Sequence, residues 1–288
     1  MMNIQWYPGH MTKSIRIMRE SISLVDVVIE LLDSRVPYSS RNPDIDDLAK
    51  NKKRIIILNK SDLADNNFNT EWENYFKDKG FEVIVTDSSK GKGLGEIYTT
   101  AQKLMKEKIE SQKQRGRIFV PIRVMIVGIP NVGKSTLINK IIGKKITQTG
   151  DRPGVTRSKQ WVKIRKDFEL LDTPGILWPK FENQEVGVNL AITGAIKDDI
   201  LDTYTLSTKL CEKLLVMNPA CLEERYKIKI EEGDDSHMII AKIGESRGFK
   251  LKGNTVDVDK TAIILLDEFR GGKLGKISLE RPFDYDSE

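Results

Sequence analysis

The sequence predicts an α/β fold followed by an all-α region, and three observations carry the prediction. Four apolar, mostly β-branched runs occupy residues 25–32, 54–58, 82–86 and 124–127, the mark of strands buried on both faces of a sheet. Helical periodicity fills the gaps between them. Beyond Pro179 no further strand–glycine loop–helix unit appears.

The elements follow in order. Trp6-Tyr7-Pro8-Gly9-His10-Met11 opens the chain ahead of any regular element. Residues 13–23 alternate basic side chains with Ile15, Ile17, Met18 and Ile22, as an amphipathic helix does. The first strand ends at Asp33, and Asp33-Ser34-Arg35-Val36-Pro37 turns the chain into a polar loop. The second strand leads to Asn59-Lys60-Ser61-Asp62, and a helix over 68–79 is closed by Gly80. The third strand ends in Asp87-Ser88-Ser89-Lys90. One long basic helix spans about 94–114, and Arg115-Gly116-Arg117 links it to the fourth strand. A hairpin is expected at 161–164 and 168–171. Four or five helical segments, at about 184–197, 202–216, 219–228, 235–247 and 257–270, are expected in the rest of the chain, punctuated by Pro219, Gly233, Gly244 and Gly248.

Composition limits the function classes. With 288 residues, 39% hydrophobic and 31% charged, the chain is long enough for one large domain or two ordinary ones. It carries no apolar run of the roughly 20 residues a membrane helix needs and no apolar signal-peptide core, so a cytoplasmic protein is expected. Cys211 and Cys221 show no metal-ligand pattern and read as buried, reduced thiols. A net charge of +5 is compatible with a polyanionic partner.

The chemistry sits in the strand-end loops. Gly128-Ile129-Pro130-Asn131-Val132-Gly133-Lys134-Ser135 fits G-x-x-x-x-G-K-[ST], with a strand entering and a helix leaving. Its glycines let backbone N–H groups wrap phosphates. Asn131, Val132, Gly133, Lys134, Ser135 and Thr136 are the expected phosphate-side residues, with Lys134 on the β- and γ-phosphates and the Ser135 hydroxyl on Mg²⁺. Asn59-Lys60-Ser61-Asp62 matches N-K-x-D. A carboxylate at Asp62 can accept from guanine N1–H and N2–H₂, donors that adenine lacks there. Asn59 would tie this loop to the phosphate loop, and the Lys60 stem would pack over the base. Ser88, Ser89 and Lys90 resemble the S-A-K loop that supports the guanine carbonyl. Gly150-Asp151-Arg152-Pro153-Gly154-Val155-Thr156 reads as a first switch, with Thr156 completing the Mg²⁺ shell. Asp172-Thr173-Pro174-Gly175 matches D-x-x-G, with Asp172 holding Mg²⁺ through water and the Gly175 N–H sensing the γ-phosphate.

The order of these motifs is rotated. The guanine elements precede the phosphate loop and both switches, so the expected fold is a circularly permuted P-loop GTPase domain over 1–179 with an all-α domain over 180–288. The second switch runs straight into the helical region, so nucleotide state is expected to set the pose of that region.

Those motifs in that order, with Trp6-Tyr7-Pro8-Gly9-His10-Met11 and Asp33-Ser34-Arg35-Val36-Pro37, resemble the circularly permuted GTPases of the YlqF/RbgA type over nearly the whole chain. The resemblance implies a cytoplasmic bacterial factor that binds a late precursor of the large ribosomal subunit, hydrolyses GTP there and leaves as maturation completes. Where many GTPases place a water-orienting glutamine, this chain has Ile176. The resemblance assigns the catalytic role to His10, expected in a loop that swings in, beside Lys134, Thr156 and Gly175. Asn131 resembles the asparagine of potassium-stimulated GTPases, so K⁺ joins GTP and Mg²⁺ among the expected ligands. His237 reads as a surface residue near a helix start. The helical region mixes basic groups such as Lys209, Lys213, Arg247, Lys250 and Lys252 with many acids. It is expected to bind ribosomal RNA and protein without reading RNA sequence. A monomer is expected. Two other readings share the nucleotide motifs: a signalling or translation-type GTPase acting on a protein, and a nucleotide-gated RNA-binding module that hydrolyses slowly as a timer. An ATPase is disfavoured by the N-K-x-D loop.

Overall fold

The computed structural model describes residues 9–143, 160–172, 181, 183–197 and 202–285. Six strands form one sheet: β1 (Val27–Asp33), β2 (Lys53–Asn59), β3 (Glu82–Val85), β4 (Ile122–Val127), β5 (Gln160–Arg165) and β6 (Phe168–Asp172). Their spatial order is β3-β2-β1-β4-β6-β5. All neighbours pair in parallel except the β5–β6 hairpin, whose register shifts between Lys163 and Arg165. Every residue of β1 is buried, as its unbroken apolar run requires.

Residue alternation sends side chains to two faces. Ile29, Leu31, Ile57, Ile84 and Ile126 share a core with Ile97 and Ala101 of α4 (Leu94–Leu104) and with Leu137 and Ile138 of α6 (Lys134–Ile142). On the other face, Val28, Met125 and Leu171 pack with Met18 of α1 (Gly9–Ser21) and Ile45 of α2 (Asp44–Leu48). Leu32, Ile56 and Leu58 pack there with Trp72 and Phe76 of α3 (Asn66–Asp78). The helix expected over 94–114 is broken. Met105 leaves helical geometry at φ −101°, ψ 7° and turns its side chain into the core, and α5 (Lys106–Gln114) starts afresh.

The second half is helical: α7 (Gln184–Ile192), α8 (Thr203–Met217), α9 (Ala220–Tyr226), α10 (Ser236–Ser246) and α11 (Val258–Arg270). Side chains of Asn183, Asp202, Asp235 and Asp257 cap four of these helices. α8, α10 and α11 pack on one another through Leu210, Leu214, Ile240, Ile243, Leu265 and Phe269, in a core continuous with that of the sheet. Cys211 and Cys221 lie in it as free thiols, pushed up to about 12 and about 11 by burial.

The chain after α11 departs from the sequence reading. Instead of ending among the helices, residues 271–285 return over the loops that follow β1 and β2. Ile277 N–H donates to Leu63 O (2.9 Å), Leu279 N–H to Arg35 O (2.8 Å), and Trp72 Nε1–H to Glu280 O (3.3 Å). The Tyr285 ring stacks on Tyr38 at 3.8 Å. This strap, inside the span expected as an all-α unit over 180–288, bridges the loops of the sheet and the helical half.

Candidate nucleotide site

Five parallel strands end along one edge of the sheet. After β1 the chain steps to β2 on one side, and β4 is laid down on the other, so the connections diverge between β1 and β4. That divergence is where ligands bind in open α/β sheets. The loop after β4 is the Gly128–Ser135 segment, and the loops after β1 and β2 carry Asp33 and Asn59.

The loop geometry follows from its residues. Asn131 adopts φ +58° and Gly133 φ +101°, and α6 begins directly at Lys134. Gly133 is required twice over: its φ is left-handed, and a Cβ there would lie 2.5 Å from Asn59 Nδ2. The Lys134 ammonium folds back over the loop and donates to Gly128 O and Ile129 O, both at 2.9 Å. Ser135 and Thr136 follow in the first turn of α6, whose N-terminus favours negative charge. The Asn131 amide points the other way, donating to Gly194 O (2.8 Å) just beyond α7.

Asn59 joins the two motif loops. Its Nδ2–H donates to Val132 O (2.8 Å), while its Oδ1 accepts from Thr86 Oγ1 (3.0 Å), Ser88 N (3.1 Å) and Ser88 Oγ (2.7 Å). It is 1% exposed, so these bonds form out of water. One amide thus binds the loops after β2, β3 and β4. The Ser88–Lys90 turn is shaped by Asp87, whose carboxylate accepts from Ser89 N (3.0 Å), Ser89 Oγ (2.5 Å) and Lys90 N (3.0 Å). Lys90 Nζ stands 3.9 Å from the half-buried Asp62 carboxylate.

Lys60 takes a left-handed φ of +60° and reaches Asp33, with Nζ 2.9 Å from Oδ2. Asp33 is gripped from its other side by Arg35, Nε to Oδ1 at 2.9 Å and Nη2 to Oδ2 at 2.7 Å. Burial pushes the Asp33 carboxyl up, but the charges of Arg35 and Lys60 outweigh it and hold the group well below the usual carboxylate range. Asp33, Ser34, Arg35 and Val36 are all at most 1% exposed. The loop that reads as polar is therefore interior, its charges paired. Sequence reading missed Asp33, Arg35 and Asp87 as parts of the site; the one signal was a charged pair directly following an apolar run.

Asn59, Lys60, Asp62, Ser88, Ser89 and Lys90 thus stand at one edge with Asn131, Val132, Gly133, Lys134, Ser135 and Thr136. His10 falls in the first turn of α1, which begins at Gly9, instead of in the loop expected for it. Asp172 ends β6 at the same edge, and the positions of the His10 and Asp172 side chains lie outside the description. Thr156 and Gly175 lie outside the described residues. His237 is exposed at the start of α10, its Nδ1 2.7 Å from Tyr204 Oη. Of the three expected Mg²⁺ ligands, Ser135 is the one whose side chain is described, and its hydroxyl is a donor that suits a hard cation.

The model of the 50S ribosome-binding GTPase family matches residues 123–231. Ribosome biogenesis GTPase A of Bacillus cereus is 48% identical over 99% of this chain and 96% of its own length. Its counterpart from Thermotoga maritima is 29% identical over 98% and 95%. Among solved structures, the GDP-bound and GNP-bound forms of YlqF from T. maritima superpose with TM-scores of 0.65 and 0.63 at 26% identity, covering 93% and 94% of this chain and 99% and 98% of theirs. The rotated motif order, the junction of its loops at Asn59 and these likenesses lead to one conclusion: the chain is a circularly permuted GTPase and belongs to the ribosome biogenesis GTPase A family.

Proposed function

We propose that this GTPase is a cytoplasmic, monomeric assembly factor that binds a late precursor of the large ribosomal subunit, hydrolyses GTP when the subunit stimulates it, and leaves as maturation completes. The observation that carries the reading is the Asn59 junction, which brings a guanine-recognition loop and a phosphate loop to one edge of a permuted sheet. The names of the relatives supply the ribosome.

In this reading Asp62 accepts from the guanine edge, Lys60 covers the base, and Ser88, Ser89 and Lys90 back its carbonyl. The phosphates lie against the N–H groups of residues 131–136, with Lys134 released from its loop carbonyls to meet them. Ser135, Thr156 and, through water, Asp172 would hold Mg²⁺, which would supply positive charge to the phosphate oxygens. Thr156 and Gly175 meet the γ-phosphate, and its loss lets the helical region move. Ile176 cannot hydrogen-bond, so His10, presented from a helix end, orients the attacking water. K⁺ would be held near the phosphates at Asn131. The helical region over 180–288 supplies the ribosomal RNA and protein contacts.

The test is single-turnover GTP hydrolysis with and without purified large subunits, for wild type and His10→Ala, in K⁺ and in Na⁺. Subunits are expected to accelerate wild type, and His10→Ala to lose on the order of 10²-fold or more of that rate with binding intact, the scale of positioned proton or water catalysis. No acceleration by subunits would move the partner to a signalling protein. Acceleration that survives His10→Ala would remove the histidine from the mechanism.

A further inference from the structure

We propose that the strap over residues 272–280 is a positioning element of the guanine pocket, setting the loops that carry Asp62 and Lys60 so that base affinity depends on how the strap is anchored to the helical half. This rests on the nucleotide reading above.

Two sets of contacts carry it. The first is on the loop beyond Asp62. Ile277 N–H donates to Leu63 O (2.9 Å), and Ser278 Oγ accepts from Asp65 N (3.2 Å). Gly272, at φ +70°, sits so near Leu63 that a Cβ would come within 2.5 Å of Leu63 Cδ2. The strap thus holds Leu63 and Asp65, two of the three residues that follow the base-reading carboxylate. The second set is on the loop beyond Asp33. Leu279 N–H donates to Arg35 O (2.8 Å), and Arg35 grips Asp33, which holds Lys60. From strap to base-covering lysine there are three links, all buried or half-buried.

Glu280 is the anchor. It is 1% exposed, and its carboxylate accepts from Tyr38 N (2.9 Å), from Ser39 N (3.2 Å) and Oγ, and from Asn189 Nδ2 (2.9 Å) of α7. One side chain therefore ties strap, first loop and helical half together. The strap begins where α11 ends. There the Arg270 guanidinium donates to Ala191 O and Ile192 O at the close of α7, both at 2.9 Å. A ligand that shifts α7 against α11 pulls on the strap directly, and this route uses neither switch.

The experiment measures release of a fluorescent GDP analogue from the full chain by stopped flow, and competition by inorganic triphosphate, which probes the phosphate loop alone. Glu280→Gln exchanges an acceptor oxygen for an NH₂ among donors and, assayed at pH 8 where the wild-type carboxylate is ionised, is expected to speed release about tenfold, the scale of one hydrogen bond lost. Ser278→Ala, which spares the core, is expected to speed it roughly threefold. In both variants the triphosphate inhibition constant stays within about twofold of wild type, since no phosphate-loop contact changes. Unchanged release from folded Ser278→Ala and Glu280→Gln would overturn the proposal. So would triphosphate affinity that falls in step with GDP affinity, which marks a general support of the fold. If Glu280→Gln does not fold, Ser278→Ala decides alone. Asp62→Asn separates the underlying reading: it should trade guanine for xanthine preference, and if it does not, the guanine site itself fails, whatever the strap does.

Discussion

Replacing Asn59 by Asp tests the junction of the two motif loops with almost no change of shape. The three interactions at Oδ1, from Thr86 Oγ1, Ser88 N and Ser88 Oγ, can all be kept by a carboxylate oxygen. The fourth cannot. The donor to Val132 O becomes an acceptor facing an acceptor at 2.8 Å, at a position 1% exposed to water. Losing a buried bond while leaving the carbonyl unpaired costs about 1–3 kcal/mol, and the charge at that oxygen adds to it. A loss of roughly 3 kcal/mol of folding stability is expected, read from denaturant unfolding. GDP affinity should fall at least tenfold, because the loops after β2 and β4 are no longer held in register. Asn59→Ala, which strips all four bonds, should be worse on both counts. A folded Asn59→Asp protein within about 0.5 kcal/mol of wild type, binding GDP as wild type does, would refute the claim that this amide joins the loops.

Gly133→Ala should destabilise by about 2 kcal/mol, combining a left-handed φ with a contact on Asn59, and should weaken GDP binding; calorimetry and titration read both. Glu280 gives a pH dependence of defined sign. Burial, outweighing its hydrogen-bond donors, raises its pKa from 4.5 to about 7, so between these values the folded state holds more protons than the unfolded. Its contribution is therefore fully present below about pH 4.5 and lost as pH rises to about 7, a span of roughly 3 kcal/mol. The stability difference between wild type and Glu280→Gln, measured from pH 5 to pH 8, should follow that curve; a flat difference would place the carboxyl in an ordinary environment.

The strands were legible because parallel strands buried on both faces must be continuous apolar runs, and each predicted run lies within two residues of its strand. The helices beyond Pro179 were legible from turn residues and periodicity, and the nucleotide loops from spacing. Arg35 and Glu280 were not. A buried, paired charge has the same letter as a solvated one, and nothing local distinguishes them. The strap was hidden for a related reason. Its bonds to Leu63 and Arg35 run through the backbone over more than 200 positions, and backbone pairing leaves no residue pattern. The break at Met105 escaped because methionine suits a helix interior as well as a core.

The strap also has a consequence for the order of synthesis. The guanine-recognition loop is made within the first 62 residues and the phosphate loop by residue 135, yet the clasp over them lies near residue 280. Contacts so distant in sequence close late, since the loop entropy between them must first be overcome. A growing chain can lay down its sheet and both nucleotide loops while the pocket stays unclasped. With the strap setting base affinity as proposed, full retention of guanine nucleotide is expected only once the segment around Glu280 has left the ribosome that is making it.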